Sequence, residues 1–156
     1  MRTLQLVGQI IDLVRTYGID PSCINLEITE TSATFSLEAI EANVRKLAAH
    51  DITFSLDDYG TGYSSVVRAL QLPVSLIKFD RSFVRSLDDP KSRCVLARSI
   101  AMMKEIGKSV LVEGVETREQ AKALRSMGAE YIQGYVYAKP IPQDEFIAFI
   151  QRPVEE

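Results

Sequence analysis

The chain has little of what several common kinds of functional site require. Among its 156 residues it has one histidine, His50, which follows two alanines at the end of a helical pattern and is expected at the surface. A histidine-based mechanism is therefore disfavoured. The two cysteines, Cys23 and Cys94, have no metal-type spacing, and we expect two buried free thiols rather than a disulfide.

Long apolar runs and an excess of positive charge are also missing. No run approaches the roughly 18 apolar residues that a membrane span needs, and the first residues lack the apolar core of a signal peptide. The net charge of −3 gives no general attraction to DNA, RNA or a membrane surface. An anionic substrate would therefore need another source of positive charge.

The composition is that of an ordinary soluble domain, with 46% hydrophobic and 25% charged residues, and the length suggests one domain. After a helical pattern over about residues 4–17, strand and helix patterns alternate five times. The predicted strands cover about residues 24–29, 52–56, 74–79, 109–112 and 131–137. The helices after them cover about residues 36–49, 63–70, 90–106, 117–127 and 142–150.

This alternation predicts an α/β fold with a parallel sheet. Strands linked by helices must run parallel, and we expect helices to cover both faces of the sheet. An open doubly wound sheet and a closed barrel both fit the order of elements. The helix over residues 117–127 should begin with a capping box of Thr117 and Gln120.

Two adjacent acids end the second predicted strand, and a glycine-rich turn follows them. Asp57 and Asp58 come directly before Gly60 and Gly62, which permit a tight turn. A solvated turn is the ordinary explanation, because turns favour Asp and Gly. Adjacent acids cannot point the same way on a regular strand, but a bend at the strand end would let them serve two metal ions.

Each predicted strand ends in polar side chains. Along the chain these are Glu27 and Glu30, Asp57 and Asp58, Lys78 and Asp80, Glu113 and Glu116, and Gln133 and Lys139. Singly, such groups are often exposed acids, salt bridges or acids at helix starts. In a parallel sheet they share one edge, and in an eight-stranded barrel they converge on one mouth. The agreement of five strands therefore favours a shared site.

Carboxylates that meet at one mouth repel one another unless divalent cations lie between them. Oxygen ligands without histidine or thiolate suit Mg²⁺ or Mn²⁺. Two such ions about 3.5–4 Å apart are the usual arrangement for in-line attack on a phosphodiester. Lys78 would then orient the attacking water or neutralise a phosphate oxygen.

The motifs around these residues resemble a known family. They are LEITET at residues 26–31, DDYGTGYSS at 57–65, IKFDRSFV at 77–84, VEGVET at 112–117 and QGY at 133–135, followed by Lys139-Pro140. With these motifs the chain resembles the carboxyl-terminal portion of an EAL domain, the bacterial cyclic di-GMP phosphodiesterase. The resemblance implies a (β/α)₈ TIM-type barrel, two divalent ions (Mg²⁺ or Mn²⁺), and opening of one phosphodiester to give pGpG.

The resemblance also implies roles for individual residues. The implied metal ligands are Glu27, Asp57, Asp58, Glu113 and Gln133. The implied catalytic residues are Lys78 and Glu113. Glu30 would steady the loop after the paired aspartates, Glu116 would be a supporting acid, and Asp80 and Arg81 would line the mouth.

The sequence departs from the family pattern in one large respect. It contains neither the Glu-Ala-Leu motif nor the strand with a metal-binding Asn, and about three of eight strands are missing. We therefore expect residues 1–156 to be a partial EAL domain, an incomplete barrel with open edges and an exposed apolar interior. Such a chain is expected in the cytoplasm, as a homo-oligomer or with a completing chain.

Two kinds of function remain open for such a chain. In the first, the chain is a piece of an active phosphodiesterase, and we expect little or no turnover by this chain alone. The second is a non-catalytic module that binds cyclic di-GMP or mediates dimerisation.

Overall fold

The computed structural model describes residues 2–29, 37–60 and 65–152. The strands in this part of the chain are β1 Asn25–Thr29, β2 Thr53–Tyr59, β3 Leu76–Phe79, β4 Ser109–Val112 and β5 Tyr131–Ile132. The helices are α1 Arg2–Thr16, α2 Leu37–Ala48, α3 Ser65–Gln71, α4 Ser82–Arg85, α5 Pro90–Glu105, α6 Arg118–Ser126 and α7 Gln143–Ile150.

The five strands form one parallel sheet in the order of the chain. At least one helix separates each strand from the next, as parallel pairing requires. The predicted alternation and strand direction are thus confirmed. The sheet is open within the described residues, with β1 and β5 at its two edges.

The two faces of the sheet differ in character because side chains alternate along each strand. One face buries Leu56, Ile77 and Val110 completely in the hydrophobic core. The opposite face carries Asn25, Glu27, Thr29, Thr53, Ser55, Asp57, Leu76, Lys78, Ser109 and Leu111. Most of these side chains are polar, and two of them, Asn25 and Glu27, are exposed. This face is therefore less buried than the opposite one, and the face expected to be an apolar interior is mainly polar.

Strand β5 is shorter than predicted and ends at Ile132, before Gln133. The chain turns at this point, and the amide of Tyr137 donates to the carbonyl of Gly134 at 3.2 Å. The predicted strand over residues 131–137 is wrong beyond its first two residues, because the backbone leaves the sheet direction at Gly134.

Both cysteines are free, as predicted, but the prediction that they are buried is wrong. Cys23 is exposed in the short 3₁₀ turn before β1. Cys94 lies on α5, whose buried positions are Leu96, Ile100 and Met103. Cys94 precedes Leu96 by two residues, about half a helical turn, and therefore faces outward.

The start of α6 agrees with the sequence pattern. The side chain of Thr117 accepts a hydrogen bond from the amide of Gln120 at 3.2 Å, and the side chain of Gln120 accepts one from the amide of Thr117 at 3.1 Å. This reciprocal pair confirms the predicted capping box of α6. In the part of the chain described, every helix is too short or too polar to cross a membrane.

Candidate active site

The carboxyl end of β2 contains a bulge where the two adjacent acids lie. Leu56 pairs with Ile77 and Tyr59 pairs with Phe79, so that Asp57 and Asp58 together stand opposite one residue of β3. Asp58 has a φ of 58°, the left-handed conformation that Asp tolerates better than most residues. The bend expected from the sequence is therefore present, and it lets the two acids leave the strand in different directions.

The ammonium group of Lys78 lies among three carboxylates at this edge of the sheet. Lys78 Nζ donates a hydrogen bond to Glu27 Oε1 at 2.6 Å. It also lies 2.8 Å from Glu113 Oε1 and 3.0 Å from Asp57 Oδ1. We call Glu27, Asp57, Lys78 and Glu113 the Lys78 cluster. Its members come from β1, β2, β3 and the end of β4, so the sheet register brings them together.

The surroundings of the cluster raise two pKa values, those of Lys78 and Asp58. Burial lowers the pKa of Lys78, but its three carboxylate partners outweigh this effect and raise it overall. Burial also raises the pKa of Asp58, and repulsion from Asp57 and Asp80 adds to the increase. Lys78 therefore stays charged, while Asp58 is an acid whose ionisation the fold disfavours.

Asp80 and Arg81 follow β3 directly and begin the short connection to α4. The Asp80 carboxylate accepts a hydrogen bond from the amide of Ser82 at 2.9 Å. Burial tends to raise the pKa of Asp80, but the hydrogen bonds from Ser82 lower it overall. Arg81 is exposed, and its Cβ packs so closely on Gly114 that a side chain at position 114 would overlap it.

The remaining predicted residues of this edge lie outside direct contact with the cluster. The amide of Gln133 donates to the carbonyl of Val112 at 2.9 Å, which places Gln133 beside the end of β4. The amide of Glu116 donates to Gln120 Oε1 at 2.9 Å, and the Glu116 side chain is exposed. In the described part of the chain, neither side chain contacts Lys78. Glu30 lies outside the described residues.

A set of polar residues that the sequence analysis did not identify lies on the same face, beneath the cluster. Ser55 is fully buried and donates to Asn25 Oδ1 at 2.7 Å. Asn25 in turn donates to Thr53 Oγ1 at 3.0 Å. Asn25 lies two residues before Glu27, and Ser55 and Thr53 lie two and four residues before Asp57. Residues at this spacing share one face of a strand, so the period of two is the sequence signal from which these positions could have been predicted.

The donor set fits a hard divalent cation. Asp57 Oδ1 is buried and has no hydrogen bond among the described residues, although Lys78 Nζ lies 3.0 Å away. A buried carboxylate oxygen in this state is an acceptor that a cation could satisfy. Within the same residues, no three acidic, histidine or cysteine side chains are arranged to hold one ion together. The lysine ammonium lies between three of the carboxylates instead.

Comparison with known proteins gives the same family as the sequence motifs. The family model described as "EAL domain" matches residues 2–140. The chain is 34% identical over 145 residues to the cyclic di-GMP phosphodiesterase RocR of Pseudomonas aeruginosa. This alignment covers 92% of the chain but only 37% of RocR, so the chain spans little more than a third of that relative.

Solved structures agree with this result. The EAL domain of Mycobacterium smegmatis DcpA superimposes with a TM-score of 0.87 at 30% identity, over 96% of this chain and 68% of that one. Klebsiella pneumoniae BlrP1, in a complex with manganese and cyclic di-GMP, gives a TM-score of 0.80 at 27% identity, over 86% and 34%. EAL domains have the TIM-barrel fold, so the predicted fold class is confirmed. The chain belongs to the EAL domain family.

Proposed function

We propose that this chain carries part of a site that hydrolyses one phosphodiester of cyclic di-GMP to pGpG and requires Mg²⁺ or Mn²⁺. One observation carries the proposal, namely the meeting of Lys78 with carboxylates from three other chain segments at the carboxyl edge of the sheet. RocR is a cyclic di-GMP phosphodiesterase, and BlrP1 binds cyclic di-GMP together with manganese. Both findings support this substrate and a divalent cation.

Charge is the main physical requirement of this chemistry. A phosphodiester is anionic, and the acidic side chains of the site would repel it. Divalent ions held by Glu27, Asp57, Asp58, Glu113 and Gln133 would neutralise phosphate charge and make a water molecule a stronger nucleophile. The unsatisfied oxygen of Asp57 supports this assignment of ligands.

The protein's own groups have separate roles in the proposed reaction. Lys78 is buried, and its ammonium orients the attacking water or neutralises a phosphate oxygen. Glu113, 2.8 Å from that ammonium, binds metal or the water. Asp80 and the exposed Arg81 line the mouth, where the guanidinium group is suited to phosphate. Glu30 and Glu116 are supporting acids in this proposal.

The direct test is hydrolysis of cyclic di-GMP by the 156-residue chain with Mn²⁺ or Mg²⁺, in which chromatography separates pGpG from the substrate. Glu113→Gln should abolish metal-dependent formation of pGpG. Glu105→Gln is a matched control, because it makes the same change at an exposed position at the end of α5 and should leave the rate unchanged.

The expected rate for this chain alone is low, below about 1 s⁻¹. The resemblance assigns further metal ligands to the Glu-Ala-Leu motif and to an asparagine strand that this sequence does not contain. Metal-dependent binding of cyclic di-GMP, measured by calorimetry with Mn²⁺, is therefore the second readout. If the chain neither binds nor hydrolyses cyclic di-GMP with either metal, the proposal is contradicted.

A non-catalytic module that binds cyclic di-GMP or mediates dimerisation is the second candidate. The observation that favours it is the open sheet, whose described edges β1 and β5 lack a further strand. Unpaired edge strands offer backbone groups to another chain. We therefore expect self-association in scattering measurements, and a monodisperse monomer would count against this expectation.

A further inference from the structure

One ammonium group, that of Lys78, contacts three carboxylates in this protein. The contacts of Lys78 Nζ with Glu27, Asp57 and Glu113 are all 3.0 Å or shorter. The exposed fraction of the side chain is 7% for Lys78, 17% for Asp57 and 20% for Glu113. Water therefore screens the two more buried acids only in part. Without the lysine, three neighbouring negative charges would remain with no close counter-charge in the described structure.

The carboxylates of Asp57 and Glu113 are also assigned to a divalent cation under the proposed function. A cation that binds Asp57 and Glu113 must approach within about 2.0–2.2 Å of their oxygens. The ammonium already lies 3.0 Å and 2.8 Å from these oxygens. Two positive groups cannot share that space without strong repulsion. Binding of the ion to these two oxygens and the present position of Lys78 therefore exclude each other.

We propose that Lys78 is the resident counter-cation of the cluster, which holds Glu27, Asp57 and Glu113 together until a divalent cation displaces its ammonium from the last two. The proposal rests on the proposed function, because it requires that a divalent cation binds these carboxylates. The ion pairs with Asp57 and Glu113, at 3.0 Å and 2.8 Å, are both longer than the contact with Glu27. The hydrogen bond to Glu27 at 2.6 Å can remain.

This exchange links two functions of one side chain. While no metal is bound, the lysine is held by carboxylates and is not available to a substrate. After the exchange, the flexible stem allows the ammonium to turn toward the bound phosphate or water. Lys78 is thus a positioning residue for the acids before it acts as a catalytic residue.

The test compares the wild-type chain with Lys78→Met, which keeps an apolar stem of similar length and removes the charge. The control is Lys122→Met, since Lys122 is an exposed position on α6. Thermal unfolding is followed in EDTA and in Mn²⁺. The affinity for Mn²⁺ is measured from the electron paramagnetic resonance signal of the free ion.

In EDTA, Lys78→Met should lower the unfolding temperature by about 5 °C through repulsion among the acids. The same variant should bind Mn²⁺ about tenfold more tightly than wild type, because no ammonium has to be displaced. Lys122→Met should change neither quantity. A purely structural role of Lys78 would not raise the affinity for metal.

Several outcomes distinguish this proposal from the proposed function. Unchanged or weaker Mn²⁺ binding by Lys78→Met would overturn the exchange, even if the wild type binds Mn²⁺ as the proposed function requires. No Mn²⁺ binding by any variant would contradict the proposed metal site and the exchange together. If Lys78→Met folds only with Mn²⁺, the exchange is supported. If it folds in neither condition, Lys78→Gln replaces it with the same expected results.

Discussion

The backbone of Gly134 lies directly against the backbone of Val115, so that a Cβ at position 134 would overlap the carbonyl oxygen and the amide nitrogen of Val115. Backbone hydrogen bonds fix this approach, because the amide of Val115 donates to Gln133 at 3.1 Å and that of Val136 donates to Val115 at 3.0 Å. The position of Gln133 at the edge of the site therefore depends on a neighbouring glycine.

Gly134→Ala should lower the free energy of unfolding by at least about 2 kcal/mol, since neither backbone segment can move without loss of these hydrogen bonds. Denaturant unfolding measures the change. Gly8→Ala is the control, because Gly8 lies in α1 and an added Cβ meets no atom within 4 Å. There the same change should raise stability by about 0.5–1 kcal/mol. Equal effects at the two positions would contradict the close approach.

Gly60, which follows the paired acids, lies beneath the ring of Phe83. A Cβ at position 60 would overlap that ring, and the φ of Gly60 is +100°. Phe83 packs in turn on Phe79, with ring centroids 5.4 Å apart. Gly60→Ala should cost about 2 kcal/mol or more through overlap and backbone strain. In a double-mutant cycle, Phe83→Ala should restore part of this loss, because it removes the overlap but not the backbone strain. If the stability losses of the two single variants simply add in the double variant, the proposed overlap is contradicted.

The raised pKa of Asp58 gives a prediction about pH. A carboxyl group whose pKa is raised by folding contributes stability that is fully present below its unfolded pKa, near 3.8, and is lost as pH rises through the folded pKa. Asp58→Asn keeps the shape and tolerates the left-handed backbone. In EDTA at pH 7 it should raise the free energy of unfolding by less than about 1 kcal/mol. The gain should shrink toward pH 3.8, and a gain that grows on acidification would contradict the assignment.

The capping box of α6 predicts a coupled loss of stability. Thr117→Ala should lower the free energy of unfolding by about 1 kcal/mol, because the amide of Gln120 loses its acceptor. Gln120→Ala removes the reciprocal acceptor for the amides of Glu116 and Thr117. Urea unfolding of both single variants and the double variant checks the coupling. A double variant that loses the full sum of the two single losses would show that the two side chains act independently.

Much of the fold could be predicted because the signals are local. The period of two in the strands, the period of 3.6 in the helices and the Thr117–Gln120 spacing identify element types and their order. The predictions that were wrong depended on contacts between residues far apart along the chain. The end of β5 depends on the contact of Gly134 with Val115, and the exposure of Cys94 depends on which side of α5 meets the core.

In the candidate site, too, the residue types could be predicted from the sequence, whereas their contacts could not. Sequence motifs identified Glu27, Asp57, Lys78 and Glu113 as polar ends of separate strands. They suggested a bend at Asp57 and Asp58 but did not reveal that it sets both acids opposite Lys78, and they did not reveal the hydrogen bond from buried Ser55 to exposed Asn25 beneath the site. Both features depend on the register between neighbouring strands, which element patterns leave open.

By itself, then, the sequence determined the kind and order of the elements, the family, and the residue types that face one edge of a parallel sheet. Only the tertiary structure decided that the ammonium of Lys78 meets a carboxylate 51 residues away along the chain, together with two others. The physical reason is distance. Backbone preferences and capping act over a few residues, whereas contacts among charged groups depend on strand register and on burial across the whole sheet.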